Sequence, residues 1–212
     1  MKTGAVISAA GHKTGSSVFQ PLLPVGKTTV IRRIIITLKQ AGVEPVIVIT
    51  GREGDLLEKH IARMGVICLR NEAYETTDMF YSVGMGLRYI EELCSQVLIL
   101  PVKYPLFLAD TVERLLKSGG KAACPVYQGR RGHPVLISSS LIPQILGYEG
   151  PGGLRGALRQ DLVSPLVEEI PVEDQGIIMP IEGEEDWEGR RESRIPLHSV
   201  CRLYIEGEEI FF

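Results

Sequence analysis

The most informative part of the sequence is Ala5-Val-Ile-Ser-Ala-Ala-Gly-His-Lys-Thr-Gly-Ser-Ser-Val-Phe-Gln-Pro-Leu-Leu-Pro-Val-Gly-Lys27. It begins as a short apolar run and passes through a loop of small, polar and basic residues before an amphipathic segment begins near Thr28. Gly11 and Gly15 can adopt the positive φ that aims several backbone N–H groups at one anion. The stretch therefore predicts a strand that feeds a phosphate-sized loop, although an ordinary strand-to-helix connection has the same local pattern.

Composition and charge narrow the class of protein. The chain has 212 residues, of which 44% are hydrophobic, and this is enough to bury one sizeable core. A net charge of −3 argues against the broad basic surface of a nucleic-acid-binding protein, so we expect no direct nucleic-acid binding by residues 1–187. The four cysteines lack zinc-site spacing, which favours reduced thiols in the cytoplasm. We expect no membrane segment, since no apolar run reaches the roughly 20 residues that span a bilayer.

Helical and strand-like patterns alternate after the opening stretch. Apolar residues recur at helical spacing over 30–38, and 45–50 is a continuous apolar run typical of a buried parallel strand. The same alternation continues through 55–64, 66–70, 79–90 and 97–100. These units predict an α/β fold of three layers, with a mostly parallel, Rossmann-like sheet and helices on both faces.

The strand over 97–100 ends in Pro101-Val-Lys-Tyr-Pro105. Ligands of open α/β sheets bind outside the carboxyl ends of the strands, so Lys103 is expected to face the same crevice as the opening loop. Further along, 121–127 and 133–137 predict two paired strands joined by a basic glycine turn, Gln128-Gly-Arg-Arg-Gly132.

Several short motifs follow one another in the order of a known family. They are Ala9-Ala10-Gly11, Leu22-Leu23-Pro24, Gly26-Lys27, Asn71, Ser82 within Phe80-Tyr-Ser-Val-Gly-Met-Gly-Leu87, and Gly129-Arg-Arg-Gly-His-Pro-Val-Leu136. Over residues 1–187 the chain resembles the MobA-like nucleotidyltransferase superfamily, and most closely its molybdenum cofactor cytidylyltransferase branch.

The resemblance implies a nucleotidyltransferase of molybdenum cofactor metabolism. Such a protein binds CTP or a related NTP, with CTP favoured over GTP, together with Mg²⁺, and transfers NMP to a phosphate-bearing acceptor such as molybdopterin with release of pyrophosphate. The nucleotide-binding positions that it implies are Ala9, Ala10, Gly11, His12, Lys13, Gly15, Gln20, Asn71 and Ser82. The substrate-binding positions are Lys103, Arg131 and His133.

The chain departs from the family pattern where charge is needed. The family has an arginine near Gly15, a lysine where this chain has Gln20, and a metal-binding aspartate where it has Lys103. The later acidic motif appears as Pro180-Ile-Glu-Gly-Glu-Glu-Asp186, which leaves Glu182 and Asp186 as candidate metal ligands. We assign no catalytic residue and expect binding of a nucleotide or pterin phosphate with weak or lost transfer, because an ammonium binds phosphate but cannot bridge two substrates as Mg²⁺ does.

Each candidate also has an ordinary structural interpretation. Lys103 fits a solvated strand end, Ser82 a helix cap, and His133 a turn before proline. Arg130 and Arg131 are more often the solvated tip of a hairpin than a phosphate clamp. The loop side chains of His12 and Lys13 can equally point into solvent.

Residues 188–212 are predicted to form a linker and a β-hairpin-like appendage, with its turn at Glu206-Gly207. The segment Arg202-Leu-Tyr-Ile-Glu-Gly-Glu-Glu-Ile-Phe-Phe212 resembles the first strand and turn of the winged-helix domain of ModE-type molybdate regulators. That resemblance implies a non-catalytic nucleotide or cofactor sensor within a longer transcriptional regulator. The alternative is a two-stranded appendage that pairs at a homodimer interface.

Overall fold

The computed structural model describes residues 2–11, 18–183, 186, 203–205 and 208–210. The strands are β1 (Thr3–Ser8), β2 (Pro24–Val25), β3 (Thr28–Thr29), β4 (Val46–Thr50), β5 (Ile67–Arg70), β6 (Gln96–Pro101), β7 (Ala122–Tyr127), β8 (Arg130–Arg131), β9 (Val135–Ser138), β10 (Val167–Pro171), β11 (Leu203–Ile205) and β12 (Glu208–Ile210). The α-helices are α1 (Val30–Gln40), α2 (Gly54–Ile61), α3 (Met79–Ile90), α4 (Ala109–Leu116), α5 (Ile142–Leu146) and α6 (Gly153–Arg159). Short 3₁₀ turns lie at Gln20–Leu22, Ser139–Leu141, Ser164–Leu166 and Gln175–Ile178.

An eight-stranded mixed sheet forms the middle layer, in the order β10-β7-β9-β6-β1-β4-β5, with β8 paired to β7. β1 lies parallel to both β4 and β6, and β9 is antiparallel to its neighbours β6 and β7. The prediction of a mostly parallel sheet is therefore confirmed. The predicted pairing of the strands near 121–127 and 133–137 is also confirmed, because Ala122 lies opposite Ile137.

Successive side chains of β1 enter two different cores, as expected from the alternation of a strand. Ala5 and Ile7 pack in the core that also contains buried residues of α1, α2 and α4. Val6 packs in the core formed with α3, α5 and α6. The sheet thus has helices on both faces, and the fold has the three layers that the sequence predicts.

The basic glycine turn differs in detail from its prediction. Gln128 and Gly129 both have positive φ, at 47° and 75°, and they alone form a tight two-residue turn. Arg130 and Arg131 were expected in this turn but form β8, in which Arg130 pairs with Tyr127 and Arg131 with Val126.

The described parts of the C-terminal segment form a small antiparallel pair, in which Leu203 lies opposite Ile210. The predicted turn at Glu206-Gly207 lies outside the described residues, so the hairpin-like appendage stays a prediction. The rest of the segment that resembles a winged-helix domain lies outside the described residues. Within the described part of the chain, no helix has the length and apolar character needed to cross a bilayer.

Candidate functional site

A cavity of about 560 Å³ opens at the carboxyl ends of β1, β4 and β6. Because β1 lies between β4 and β6 and all three are parallel, the segments that leave these strands meet at one edge of the sheet. This crevice is lined by Ser8, Ala9, Ala10, Gly11, Val18, Phe19, Gln20, Pro21, Arg52, Tyr74, Thr77, Asp78, Met79, Phe80, Ser82, Pro101, Val102, Lys103, Gly152, Gly153, Leu154 and Glu182.

The start of the opening loop lies in the crevice as the sequence predicts. Ala9 N donates to Ile49 O over 3.0 Å, and Arg52 N donates to Ala10 O over 2.8 Å. Gly11 has a φ of +77°, and a Cβ at this position would lie 3.0 Å from Arg52 Cβ. A side chain here would be strained by the backbone and crowded by Arg52, so glycine is needed.

Two other predictions for the nucleotide loop have different outcomes. His12, Lys13 and Gly15 lie outside the described residues, so their placement stays a prediction. Gln20 begins the 3₁₀ turn Gln20–Leu22 and lines the crevice, at the position where the family pattern has lysine.

Asn71 and Ser82 are joined inside the protein, and each is only 2% exposed. Asn71 Nδ2 donates to Ser82 Oγ over 3.0 Å and to Thr77 Oγ1 over 2.9 Å. Its Oδ1 accepts from Ala73 N over 3.0 Å. Ser82 lines the crevice, whereas Asn71 lies behind it and ties the segment after β5 to the start of α3. The cap of α3 is Asp78, whose Oδ1 accepts from Tyr81 N over 2.8 Å, and not Ser82.

Lys103 lies in the crevice and contacts Glu182. The Lys103 Nζ is 3.1 Å from Glu182 Oε1, and the two side chains are 37% and 58% exposed. The main chain joins the same two segments, because Ile181 N donates to Lys103 O over 2.7 Å. The Nζ also lies 5.6 Å from the centre of the Tyr104 ring. An ammonium group paired with a carboxylate therefore occupies this end of the crevice.

His133 and Arg131 lie outside the residues that line the crevice. The rings of His133 and Tyr104 are 4.6 Å apart between centres, and His133 Nδ1 is buried with no hydrogen-bond partner among the described residues. Burial, reinforced by the Lys103 ammonium, lowers the pKa of His133 to about 4. Arg131 forms an ion pair of 2.7 Å with Glu169 on β10. Their roles in substrate binding stay predictions.

The described side chains do not fit a dedicated magnesium site. They include no group of three or more His, Cys, Asp or Glu residues placed to hold a metal ion. Asp186 Oδ2 instead accepts from the backbone N of Glu182 and Gly183, over 2.7 and 3.1 Å. Glu182 is paired with Lys103, and an ammonium beside a carboxylate opposes binding of a cation there.

A buried network supports the segment that carries Lys103. Arg33 Nε donates to Pro105 O over 3.0 Å. Burial lowers the pKa of Arg33, and the nearby charge of Asp174 opposes that shift. Asp174 accepts from Leu108 N over 2.8 Å and from Thr111 Oγ1 over 2.6 Å. The connection from β6 to α4 is thereby fixed from two sides.

Several residues that line the crevice are not among those that the sequence predicts there. Arg52 follows Gly51 directly after the buried strand β4, so the rule that placed Lys103 at the crevice would have placed Arg52 there too. Tyr74 and Phe80 give the crevice an aromatic wall. Gly153 packs against this wall, since a Cβ on it would lie 3.3 Å from Phe80 Cβ. The sequence offers no local signal for that contact.

Three cysteines among the described residues are free. Cys94 and Cys124 are buried, and Cys68 is half-buried. Burial raises the pKa of each thiol, which makes these side chains poor nucleophiles at neutral pH. They are consistent with packing roles.

Comparison with known proteins identifies the domain. Residues 5–169 match the family described as MobA-like NTP transferase domain. A nucleotidyl transferase from Methanothermobacter thermautotroptrophicus is 21% identical with a TM-score of 0.76, over 91% of this chain and 97% of that one. Rv0371C from Mycobacterium tuberculosis, in a complex with manganese, is 19% identical with a TM-score of 0.74, over 92% and 100%.

A third solved structure shares the fold at lower identity. It is the 4-diphosphocytidyl-2C-methyl-D-erythritol synthase from Anaerococcus prevotii, which is 13% identical with a TM-score of 0.71, over 91% of this chain and 97% of that one. No curated protein matches the sequence. These structural likenesses support the three-layer nucleotidyltransferase fold.

Proposed function

We propose, from the premise that the chain belongs to the MobA-like NTP transferase domain family, that its crevice binds a nucleoside triphosphate without needing a metal ion. The bound nucleotide is transferred weakly or not at all. The observation that carries this proposal is the position of the Lys103 ammonium in the crevice, 3.1 Å from Glu182, where the family pattern has a metal-binding aspartate.

Charge at the end of β6 supports the binding part of the proposal. A carboxylate with a bound divalent cation has a local charge of about +1, and so has one lysine ammonium. Lys103 can thus attract a phosphate group without a metal ion, once that phosphate replaces the Glu182 carboxylate. Arg52 lines the same crevice beside Ala10 and Gly11, and it supplies a second cation near the loop.

The geometry gives less support to transfer. Nucleotidyl transfer depends on holding the attacking phosphate in line with the scissile bond and on neutralising the charge that develops. Mg²⁺ supplies such neutralisation by binding oxygens of both reactants in an octahedral shell. An ammonium donates hydrogen bonds but has no such shell, so Lys103 retains attraction for phosphate and loses the bridging of the two substrates.

The preference for CTP and a pterin-type acceptor belongs to the same proposal. The cytidylyltransferase-like motif Gly129–Leu136 and the name of the diphosphocytidyl relative support a cytidine nucleotide. Tyr74 and Phe80 in the crevice wall would suit a planar heterocycle such as the ring of molybdopterin. We also propose a place in molybdenum cofactor metabolism and a cytoplasmic location, where thiols stay reduced.

The arrangement of the chain beyond the matched region stays a prediction. We propose residues 1–187 as the nucleotidyltransferase-like domain and 188–212 as a linker and hairpin appendage. A homodimer and a sensor role within a longer regulator also stay predictions.

Calorimetric titration tests the binding proposal. The purified protein is titrated with CTP, GTP and ATP in excess EDTA, and we expect saturable binding that is tightest for CTP. Pyrophosphate release from CTP and molybdopterin, measured with Mg²⁺, tests the loss of transfer. Absence of nucleotide binding would contradict the first part, and Mg²⁺-dependent release at ordinary enzyme rates of about 1–1,000 s⁻¹ would contradict the second.

A further inference from the structure

We propose that Glu182 is a specificity-determining residue whose carboxylate competes with the phosphate group of the ligand for Lys103. The inference rests on the proposed nucleotide-binding function and assigns a role to a residue that would otherwise be only a candidate metal ligand. In the free protein the Glu182 carboxylate is paired with the Lys103 ammonium, and a ligand whose phosphate binds that ammonium must replace the carboxylate.

Three hydrogen bonds, donated by the backbone N of Ile181, Glu182 and Gly183, hold the segment around Glu182 in place. Ile181 is fully buried, and its backbone N donates to Lys103 O over 2.7 Å. Asp186 Oδ2 accepts from the backbone N of Glu182 over 2.7 Å and from that of Gly183 over 3.1 Å. The backbone is therefore fixed while the carboxylate projects to Lys103 in the crevice.

The strength of the pair suits an exchangeable contact. Both side chains are more than a third exposed, and ion pairs of this kind contribute little to stability because water screens them. A phosphate group carries more charge than a carboxylate and offers more acceptor oxygens. A phosphate that is anchored elsewhere in the crevice can therefore displace Glu182 at a small cost.

Selectivity follows from this competition. A ligand without a phosphate near Lys103 leaves the Lys103–Glu182 pair intact, so the affinity of that ligand does not depend on Glu182. A ligand whose phosphate reaches Lys103 must replace the carboxylate and then lies close to it as a like charge. Glu182 thus weakens the binding of phosphorylated ligands and has no effect on the corresponding nucleoside.

The test uses variants of the full chain and three probes in EDTA: inorganic triphosphate, CTP and cytidine. Inorganic triphosphate carries no base, so its result does not depend on the base preference. We expect Glu182→Gln to tighten binding of triphosphate and CTP about two- to fivefold, as exchange of an exposed ion pair allows, and to leave cytidine unchanged.

Asp110→Asn is the matched control, because it also removes an exposed carboxylate paired with a cation, at 2.8 Å from Arg114, and lies away from the crevice lining. We expect it to leave all three affinities unchanged. A second pair of measurements, with Glu182→Gln added to a Lys103→Gln variant, distinguishes competition for the ammonium from simple repulsion between Glu182 and the phosphate. There the gain from Glu182→Gln should fall below 1.5-fold, since no ammonium remains to compete for.

The possible results distinguish failure of the competition from failure of the nucleotide-binding function. If triphosphate binds the wild-type chain and Glu182→Gln has no effect or weakens binding, the competition is contradicted. An equal gain with and without Lys103 also contradicts it. If triphosphate follows the expected pattern and no nucleotide binds, the competition stands and the nucleotide-binding function fails. If no probe binds any variant, both fail.

Discussion

The side-chain amide of Asn71 donates to the hydroxyl of Ser82 over 3.0 Å in the interior of the protein, eleven residues away along the chain. The amide also binds Thr77 Oγ1 and the backbone of Ala73, so one side chain holds the whole connection from β5 to α3. This connection carries Tyr74 and Asp78 to the crevice. Asn71 thus shapes the wall of the site from behind.

Replacement of Asn71 by alanine should therefore destabilise the protein. The change removes three hydrogen bonds and leaves buried polar partners unsatisfied, so we expect the free energy of unfolding to fall by about 2–3 kcal/mol. Urea denaturation followed by circular dichroism measures this loss. Thr76→Ala is a suitable control, because its hydroxyl makes one exposed bond to Ala73 O over 3.2 Å. Equal stabilities of the two variants would contradict the role of Asn71.

The two glycines of α3 should respond in opposite ways to alanine. A Cβ at Gly86 would overlap Val6 Cγ1 on the sheet and lie 3.2 Å from Ile49 Cδ1. A Cβ at Gly84 would meet only the ends of Arg88 and Leu146, each at 3.3 Å, and both side chains can move.

We expect Gly86→Ala to lower the free energy of unfolding by about 1–3 kcal/mol, because α3 must move away from the sheet. Gly84→Ala should be neutral or stabilising by up to about 1 kcal/mol, through the higher helix propensity of alanine. Urea denaturation of both variants provides the comparison. If Gly86→Ala proved as stable as Gly84→Ala, the close packing of α3 on β1 would be wrong.

The buried histidine predicts a loss of stability in mild acid. The pKa of His133 is about 4 in the folded protein, below the ordinary value of 6.5, so the unfolded chain binds the proton more readily. The stability that this neutral imidazole contributes is fully present above pH 6.5 and is lost as the pH falls from 6.5 to 4. The loss should be on the order of 3 kcal/mol.

His133→Phe keeps an aromatic ring against Tyr104 but cannot take up a proton. The difference in free energy of unfolding between wild type and this variant should therefore change across pH 4–6.5 and be constant above it. Chemical denaturation at several pH values measures the difference. Parallel stability curves over the whole range would show that His133 titrates normally.

The parts of the fold that depend on local pattern could be predicted from the sequence. Apolar residues at helical spacing predict α1, and a continuous apolar run predicts β4, because these patterns reflect which side chains are buried. Ala9, Ala10, Gly11 and Lys103 were correctly expected at one edge of the sheet, since parallel strands bring their carboxyl ends together.

The contacts that define the site could not be predicted in the same way. Lys103 and Glu182 are 79 residues apart in the chain, and no local pattern records that they meet. The position of the antiparallel β9 between β6 and β7 likewise depends on tertiary packing, so local sequence does not predict it. Arg33 on α1 and Asp174 before the last 3₁₀ turn interact electrostatically, although both look like ordinary surface charges in the sequence.

Replacement of Lys103 by aspartate should make nucleotide binding depend on magnesium. The variant places two carboxylates near each other, Asp at position 103 and Glu182, so phosphate is repelled unless a divalent cation lies between them. We expect CTP to bind this variant about 10- to 100-fold more weakly than wild type in EDTA, as loss of a charged hydrogen bond implies. Mg²⁺ should restore part of the affinity. Lys121→Asp, at the exposed position just before β7, controls for the change in net charge.

The most direct test is the ratio of the dissociation constants for CTP in EDTA and in Mg²⁺, measured by calorimetry on the wild-type protein. If the ammonium of Lys103 takes the place of the metal, the ratio should lie within about threefold of one, and it should rise at least threefold further in the Lys103→Asp variant. A wild-type protein that binds CTP only when Mg²⁺ is present would contradict the account.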